Sequence, residues 1–186
     1  MTSPAAARGR EVRQRLLNAA AELIPERGWT AVSTRILAER AGVTPSVVHY
    51  HFPSLRALLT EAVLGVMRDT VGELQPVLDA ARTPGDALDA LLASVDQYTG
   101  VDPMSLLFTE AYLAATRDEQ LREAMTEVLI GFRQHLGRWF GERGVPAPDE
   151  TAAVVMAAVD GLVLHRALTP GQVPGPAAAV LRRLVD

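Results

Sequence analysis

The side chains able to do chemistry fall into two sets. The first is crowded between residues 33 and 56, where Ser33, Thr34, Arg35, Thr44, Ser46, His49, Tyr50 and Arg56 stand with Pro45 and Val47 among them. Hydroxyls, an imidazole and guanidinium groups at this density suit the reading of phosphate oxygens and base edges. The second set is sparse and acidic. Glu110 shares a helical stripe with Leu106, Leu107, Leu113 and Ala114, and Asp160 is flanked by Met156, Val163 and Leu164. A buried carboxylate is costly unless paired. Each acid therefore needs a partner such as Arg166 or Arg133, exposure at a helix edge, or a ligand that is cationic or donates hydrogen bonds.

Other chemistries find little support. The chain has no Cys, which removes disulfides, thiolate metal sites and Cys nucleophiles. There is no Gly-x-Ser-x-Gly, no phosphate-binding glycine loop and no His-Glu-x-x-His. His49 and His51 are two apart, so a helix points them to different faces and a shared metal is not expected. No cofactor is expected either. An enzyme would have to announce itself by turnover. A helical-bundle adaptor is the other alternative, and it leaves the basic N-terminal region unexplained.

The elements that must position these residues are helices, because the 3.6-residue apolar period has no alternating pattern to compete with it. Val12, Leu16, Ala19 and Leu23 give the first helix one apolar face, ending at Gly28. Ser33 caps a short second helix carrying Leu37, Ala38 and Ala41, and Gly42 stops it. Thr44 and Pro45 read as N-cap and first residue of a third helix. Phe52-Pro53-Ser54 breaks that helix, and Ser54 caps a longer fourth along Leu55, Leu59, Ala62 and Val66, with a change of character after Pro76. Further helices are expected from Thr83-Pro84 to about Gly100, from Asp102-Pro103 to about Thr116, from Asp118 to about Gly141, and from Thr151 to Leu168. Thr169-Pro170-Gly171 and Pro174-Gly175-Pro176 are expected to form a stiff loop before a last helix.

The 186 residues carry 18 basic and 22 acidic side chains, a formal net charge of -4. The basic residues are all Arg. Their placement is uneven: residues 1–56 hold eight Arg and four Glu, a net +4, and the rest of the chain is net -8. A generally sticky nucleic-acid binder is excluded by the total, but a basic head is not. No apolar signal-peptide core is visible. The apolar run from Thr151 to Val159 is closed by Glu150 and Asp160, well short of the roughly 20 residues of a membrane span. A cytoplasmic protein without membrane contact is the expectation.

Two short helices joined through Gly42-Val43 form a helix-turn-helix. The stretch from Arg27-Gly28-Trp29 through ILAERAGVTPSVVHYHFPSLRALLTEAV resembles the DNA-binding head of TetR-family transcriptional repressors, over roughly residues 10–64, about a third of the chain. Leu37-Ala38-Glu39-Arg40-Ala41-Gly42-Val43 followed by Tyr50-His51-Phe52 is the specific part. The resemblance implies an all-α fold: a three-helix DNA-binding head, residues 1–56, joined by helix 4 to a helical-bundle ligand-binding and dimerisation domain, residues 57–186. It implies a ligand-responsive repressor that holds a palindromic double-stranded DNA operator as a homodimer and is released by a small-molecule inducer.

In a helix-turn-helix the second helix enters the major groove, N-terminal residues first. That makes Thr44, Pro45, Ser46, Val47, His49 and Tyr50 candidates for DNA contact. Ser33 and Thr34 stand where helix 2 offers N–H groups to a phosphate, and Arg35 matches a DNA-contact position of the family. Thr44 also reads as a plain N-cap, and His51 and Phe52 as packing residues. Arg8, Arg10 and Arg13 form either a basic arm or a tail. The family often has a Lys just inside helix 4; here that residue is Leu55, with Arg56 beside it. Pro45 and Val47 stand where polar readers are common, so specificity is expected to rest on few direct bonds and on DNA shape.

For the inducer, the candidates are Tyr98, Met104, Phe108, Glu110, Tyr112, Phe132, His135, Trp139 and Asp160, each of which also reads as core. The helix Thr151 to Leu168 is apolar nearly all round, with Ala153, Ala157 and Gly161 at a four-residue spacing. It reads as a buried helix, either in a dimer interface with Ala177 to Val185 or within the chain's own core.

Overall fold

The computed structural model describes residues 4–169 and 177–185. Among them are nine α-helices and no strand: α1 (Pro4–Arg27), α2 (Thr34–Ala41), α3 (Pro45–His51), α4 (Leu55–Ala80), α5 (Pro84–Val95), α6 (Pro103–Ala115), α7 (Glu119–Gly141), α8 (Pro148–Leu168) and α9 (Ala177–Arg182). The proline-rich loop read at 170–176 lies outside the described residues. A short 3-10 turn at Trp29–Ala31, not anticipated from the sequence, joins α1 to α2.

The chain divides into two compact units. One comprises residues 1–66 with 106–122; the other comprises 67–105 with 123–186. A boundary at 56/57 falls inside the first turn of α4, and the split also runs through α6 and α7.

In the N-terminal unit, α1 buries Leu16, Ala20, Leu23 and Ile24 at i, i+4, i+7 and i+8, while α2 buries Leu37, Ala38 and Ala41. That spacing keeps one face inward through successive turns. Gly42 adopts the left-handed conformation (φ 66°, ψ 39°) at the end of α2, which a side chain disfavours, and Val43 N–H closes onto Ala38 O at 2.9 Å. Ser54 Oγ accepts from Ala57 N–H at 3.1 Å, capping α4 as expected. Arg13, read as part of a basic arm, is instead a brace. Its guanidinium pairs with both carboxylate oxygens of Glu61 and lies 4.6 Å from the centre of the Phe52 ring. Phe52 is buried, as its packing role requires.

In the C-terminal unit, Leu78, Leu88, Leu91, Phe132, Leu136, Trp139, Phe140, Val155 and Leu181 share one apolar core. α4 continues through Pro76 to Ala80. α5 opens with a capping box, Thr83 Oγ1 accepting from Asp86 N–H and Asp86 from Thr83 N–H, both at 3.1 Å. It ends at Val95, earlier than the period alone indicated. The reason is a second cap: Asp102 accepts from Thr99 N–H at 2.7 Å and Ser105 N–H at 3.0 Å, folding 99–102 into a loop. Gly100 in that loop has φ 83°, and a Cβ there would stand 2.4 Å from Ala167 N and 2.8 Å from Val163 O. Only glycine lets the loop lie this close to α8.

α8 bears on the two readings given for it, dimer interface or intrachain core. Of its 21 residues only Ala152 and Val155 are buried, whereas Val154, Leu164 and Leu168 are exposed. It is not a core helix of the single chain. By length and composition it also meets the requirement for a membrane span, with Asp160 inside it, where counting 151–159 alone had pointed to none. Helices that bury themselves against protein share those properties.

Candidate nucleic-acid interface

α3 buries a single residue, Val48, which seats it on the head. Thr44, Pro45, Ser46, His49 and Tyr50 are exposed, Tyr50 to 85%, and Val47 is half-buried. Thr44 occupies the N-cap position but does not cap. Its Oγ1 instead pairs with Ser46 Oγ at 2.8 Å, leaving two exposed hydroxyls side by side at the start of the helix. Ser33 does cap, accepting from Ile36 N–H at 3.3 Å, so its side chain is partly committed. Thr34 and Arg35 follow in the first turn of α2, Arg35 exposed. The helix-turn-helix thus brings Ser33 to Arg35 and Thr44 to Tyr50 onto two helices joined by one tight turn. That arrangement suits hydrogen bonding to an anionic, acceptor-rich surface.

Not every basic group of the head is free for such a surface. Arg40 reaches Glu22 and Glu26, binding α2 to α1, and those carboxylates push its pKa up. Arg56, exposed on the first turn of α4, donates to Asp118 at the start of α7. Asp118 was legible only as the start of α7, and its bond to Arg56 had no sequence signal. Burial pushes the Asp118 carboxyl up, but bonds from Leu121 N–H, Arg56 and Gln120 N–H pull it further down, leaving it below the ordinary carboxylate range.

The effector candidates separate. Phe108, Glu110 and Tyr112 group with the N-terminal unit, and Tyr98, Met104, Phe132, His135, Trp139 and Asp160 with the C-terminal one. Glu110 has a use that sequence reasoning missed: its Oε2 accepts from Trp29 N–H at 2.7 Å. Tyr112 is 68% exposed. Arg166, one of the two partners offered for the acids, is spent on Asp96 Oδ1 (2.7 Å) and on the carbonyls of Val95 and Tyr98, closing the C-terminus of α5. Asp160 is exposed by surface area, yet desolvation pushes its carboxyl pKa up. Desolvation, with Glu73 and Asp102 nearby, also raises Tyr98. On α7, Trp139 Nε1 and His135 Nε2 are buried one turn apart without a hydrogen-bond partner among the described residues. Asp79 Oδ1 stands 3.9 Å from that His135 nitrogen, and the Arg143 guanidinium lies 3.7 Å from the Trp139 ring centre. No cluster of three or more metal-ligating side chains occurs among the described residues.

Comparison with known proteins matches the chain to two family models. Residues 16–62 match the family described as "Bacterial regulatory proteins, tetR family", and residues 82–186 match "Tetracyclin repressor-like, C-terminal domain". The HTH-type transcriptional regulator BetI of Rhizobium meliloti (strain 1021) is 27% identical over 178 residues, covering 91% of this chain and 84% of that protein. The crystal structure of a transcriptional regulator from Streptomyces coelicolor A3(2) superposes with a TM-score of 0.80 at 30% identity, over 94% of this chain and 98% of the other. A regulator from Saccharomonospora viridis, solved in complex with choline, shares the fold at a TM-score of 0.74 and 22% identity, over 95% and 94% of the two chains. Helix-turn-helix head, all-helical remainder and matches along most of the chain lead to one conclusion: this protein belongs to the TetR family of transcriptional regulators, DNA-binding proteins rather than enzymes.

Proposed function

We propose that the chain is a ligand-responsive repressor that holds a palindromic operator as a homodimer and releases it when a small molecule binds the C-terminal unit. The observation that carries this reading is the unspent polar face of α3. Thr44, Ser46, His49 and Tyr50 are exposed on a head of net charge +4, and the paired hydroxyls of Thr44 and Ser46 do not cap the helix. Thr44 and Ser46 meet base edges or phosphates, Val47 a thymine methyl, and His49 and Tyr50 donate to base or backbone. Pro45 shapes the entry of the helix, and Ser33, Thr34, Arg35 and Arg56 hold the flanking phosphates. The apolar surface left open on α8, with exposed Val180 and Leu184 on and just after α9, supports dimerisation through these helices.

In the C-terminal unit the buried Trp139 and His135 nitrogens support an effector that is largely apolar and carries a hydrogen-bonding oxygen. Phe132, Met104 and Tyr98 supply apolar wall, and Asp160 favours a donor or cation. Phe108, Glu110 and Tyr112 act nearer the head, Glu110 through Trp29. The effector releases DNA only insofar as it prefers the released conformation, α4 being the helix that runs through both units. The protein works in the cytoplasm, where operator and effector are both present.

Selection of duplexes from a randomised pool tests the reading. The dimer is expected to enrich an inverted repeat whose half-site centres lie about 34–36 Å apart. Tyr50→Ala is expected to weaken binding to the selected site while sedimentation still reports a dimer. Enrichment of no repeat, or joint loss of binding and dimer, contradicts it.

A further inference from the structure

We propose that Asp118 is an internal competitor for Arg56, a built-in stand-in for DNA phosphate that a duplex must displace. The inference rests on the reading of Arg56 as a phosphate ligand and adds what controls it.

Three cations of the head are engaged by carboxylates, and they are engaged differently. Arg13 is held by both oxygens of Glu61 and covered by Phe52; Arg40 is held by two acids of α1. Both are fixtures between packed helices. Arg56 is the outlier. It stands on the first turn of α4, its side chain half exposed (51%), and it gives Asp118 a bond from Nη2.

Asp118 is the fixed member of this pair. Its side chain is only 15% exposed, and Leu121 N–H holds the same Oδ1 at 3.0 Å as the cap of α7. The segment that carries it is anchored to the head a second time, through Glu110 and Trp29 N–H. Carboxylate and phosphate present the guanidinium with the same acceptor geometry and the same sign of charge. A phosphate that takes the Nη2 edge of Arg56, or its full charge, therefore competes with Asp118 for it. The α6–α7 corner sets how much of the head's charge DNA meets, and any shift of that corner against the first turn of α4 changes it.

The test uses the full-length protein and a labelled mixed-sequence duplex, since phosphate contact does not depend on sequence, with affinity measured over a salt series. Asp118→Asn keeps the α7 cap, because Asn caps as well as Asp, and removes the charge. It is expected to bind about two- to five-fold tighter per head, the worth of a partly exposed ion pair, with the salt slope unchanged. Arg56→Ala is expected to bind more weakly, its slope shallower by about 0.9 per head. In the Arg56→Ala background the Asp118→Asn gain is expected to vanish. Should Asp118→Asn melt early, Asp118→Ser, which also caps, takes its place. If Arg56→Ala changes neither affinity nor slope, the phosphate reading of Arg56 falls. If Arg56→Ala weakens binding while Asp118→Asn leaves it unchanged or weaker, the competitor falls and the phosphate reading stands. A gain from Asp118→Asn that persists without Arg56 overturns the competitor too, since it reports only the loss of a negative charge near DNA.

Discussion

α3 and α8 are opposites that share one property. The first has seven residues and the second 21, and each turns most of its surface away from the chain's own interior. What α3 leaves open is mostly hydroxyl, imidazole and phenol; what α8 leaves open includes a stripe of Val154, Ala157, Leu164 and Leu168, beside the exposed Asp149, Glu150, Asp160 and His165. A polar face costs little in water, whereas a contiguous apolar one marks a surface that is covered in the working assembly. The contrast indicates the chemistry of two partners before either is known: an acceptor-rich polyanion for one helix, an apolar surface for the other.

The strongest way to break the contrast is to give α8 the polarity of α3. Val154→Glu with Leu164→Glu places charges where a dimer would bury them. The dimer is expected to weaken roughly a thousand-fold, about 4 kcal/mol. Circular dichroism should find the separated chains still helical, since neither residue is buried in one chain; loss of helicity would return α8 to the interior of the single chain. The opposite side of α8 is tested by Gly100→Ala, where an added Cβ meets backbone and the φ is unfavourable. Urea unfolding should show a loss on the order of 3 kcal/mol.

Asp102→Ala removes the clamp on the same loop and should cost about 1 kcal/mol at neutral pH. Burial alone would raise the Asp102 carboxyl. The Ser105 hydroxyl and N–H, with Thr99 N–H, overcome that and hold it at about 2 against an ordinary 3.8. A folded pKa below the unfolded one stabilises above the unfolded value and is lost as pH falls through the folded one. Wild type and variant should therefore converge in melting temperature between about pH 4 and pH 2. Asp160→Asn is the smallest change and runs the other way. Its carboxyl is raised by desolvation, so the ionised form is penalised and the variant should melt slightly higher at pH 7. That advantage should disappear on acidification, once the wild-type group is protonated in both states.

Local signals were legible wherever a residue's own backbone carries the information. Ser33, Gly42, Ser54, Thr83 and Asp118 marked helix ends that the structure has, because caps and left-handed turns act over three or four residues. Thr44 misled in a small way, since a hydroxyl at an N-cap has a second outlet when another hydroxyl stands two residues on. Pro76 lies inside α4, because a proline's local cost does not end a helix whose neighbours, Leu74 and Leu78, pack on the core. Long-range choices were illegible. Nothing in sequence spacing tells that Arg13 finds Glu61, that Arg166 passes over Asp160 for the end of α5, or that Glu110 serves Trp29. For α8, apolarity was read correctly, but burial depends on what lies outside the chain.

The grouping of residues 106–122 with the head bears on how such proteins are recombined. An exchange of DNA-reading heads between relatives, cut just after Arg56, would leave Glu110 and Asp118 behind with the recipient. The transplanted head would lose the acceptor for Trp29 N–H and the carboxylate beside Arg56. A chimera that keeps the donor's regulation has to carry two pieces of chain, 1–66 and 106–122, even though the family's DNA-binding signature, residues 16–62, lies in the first alone.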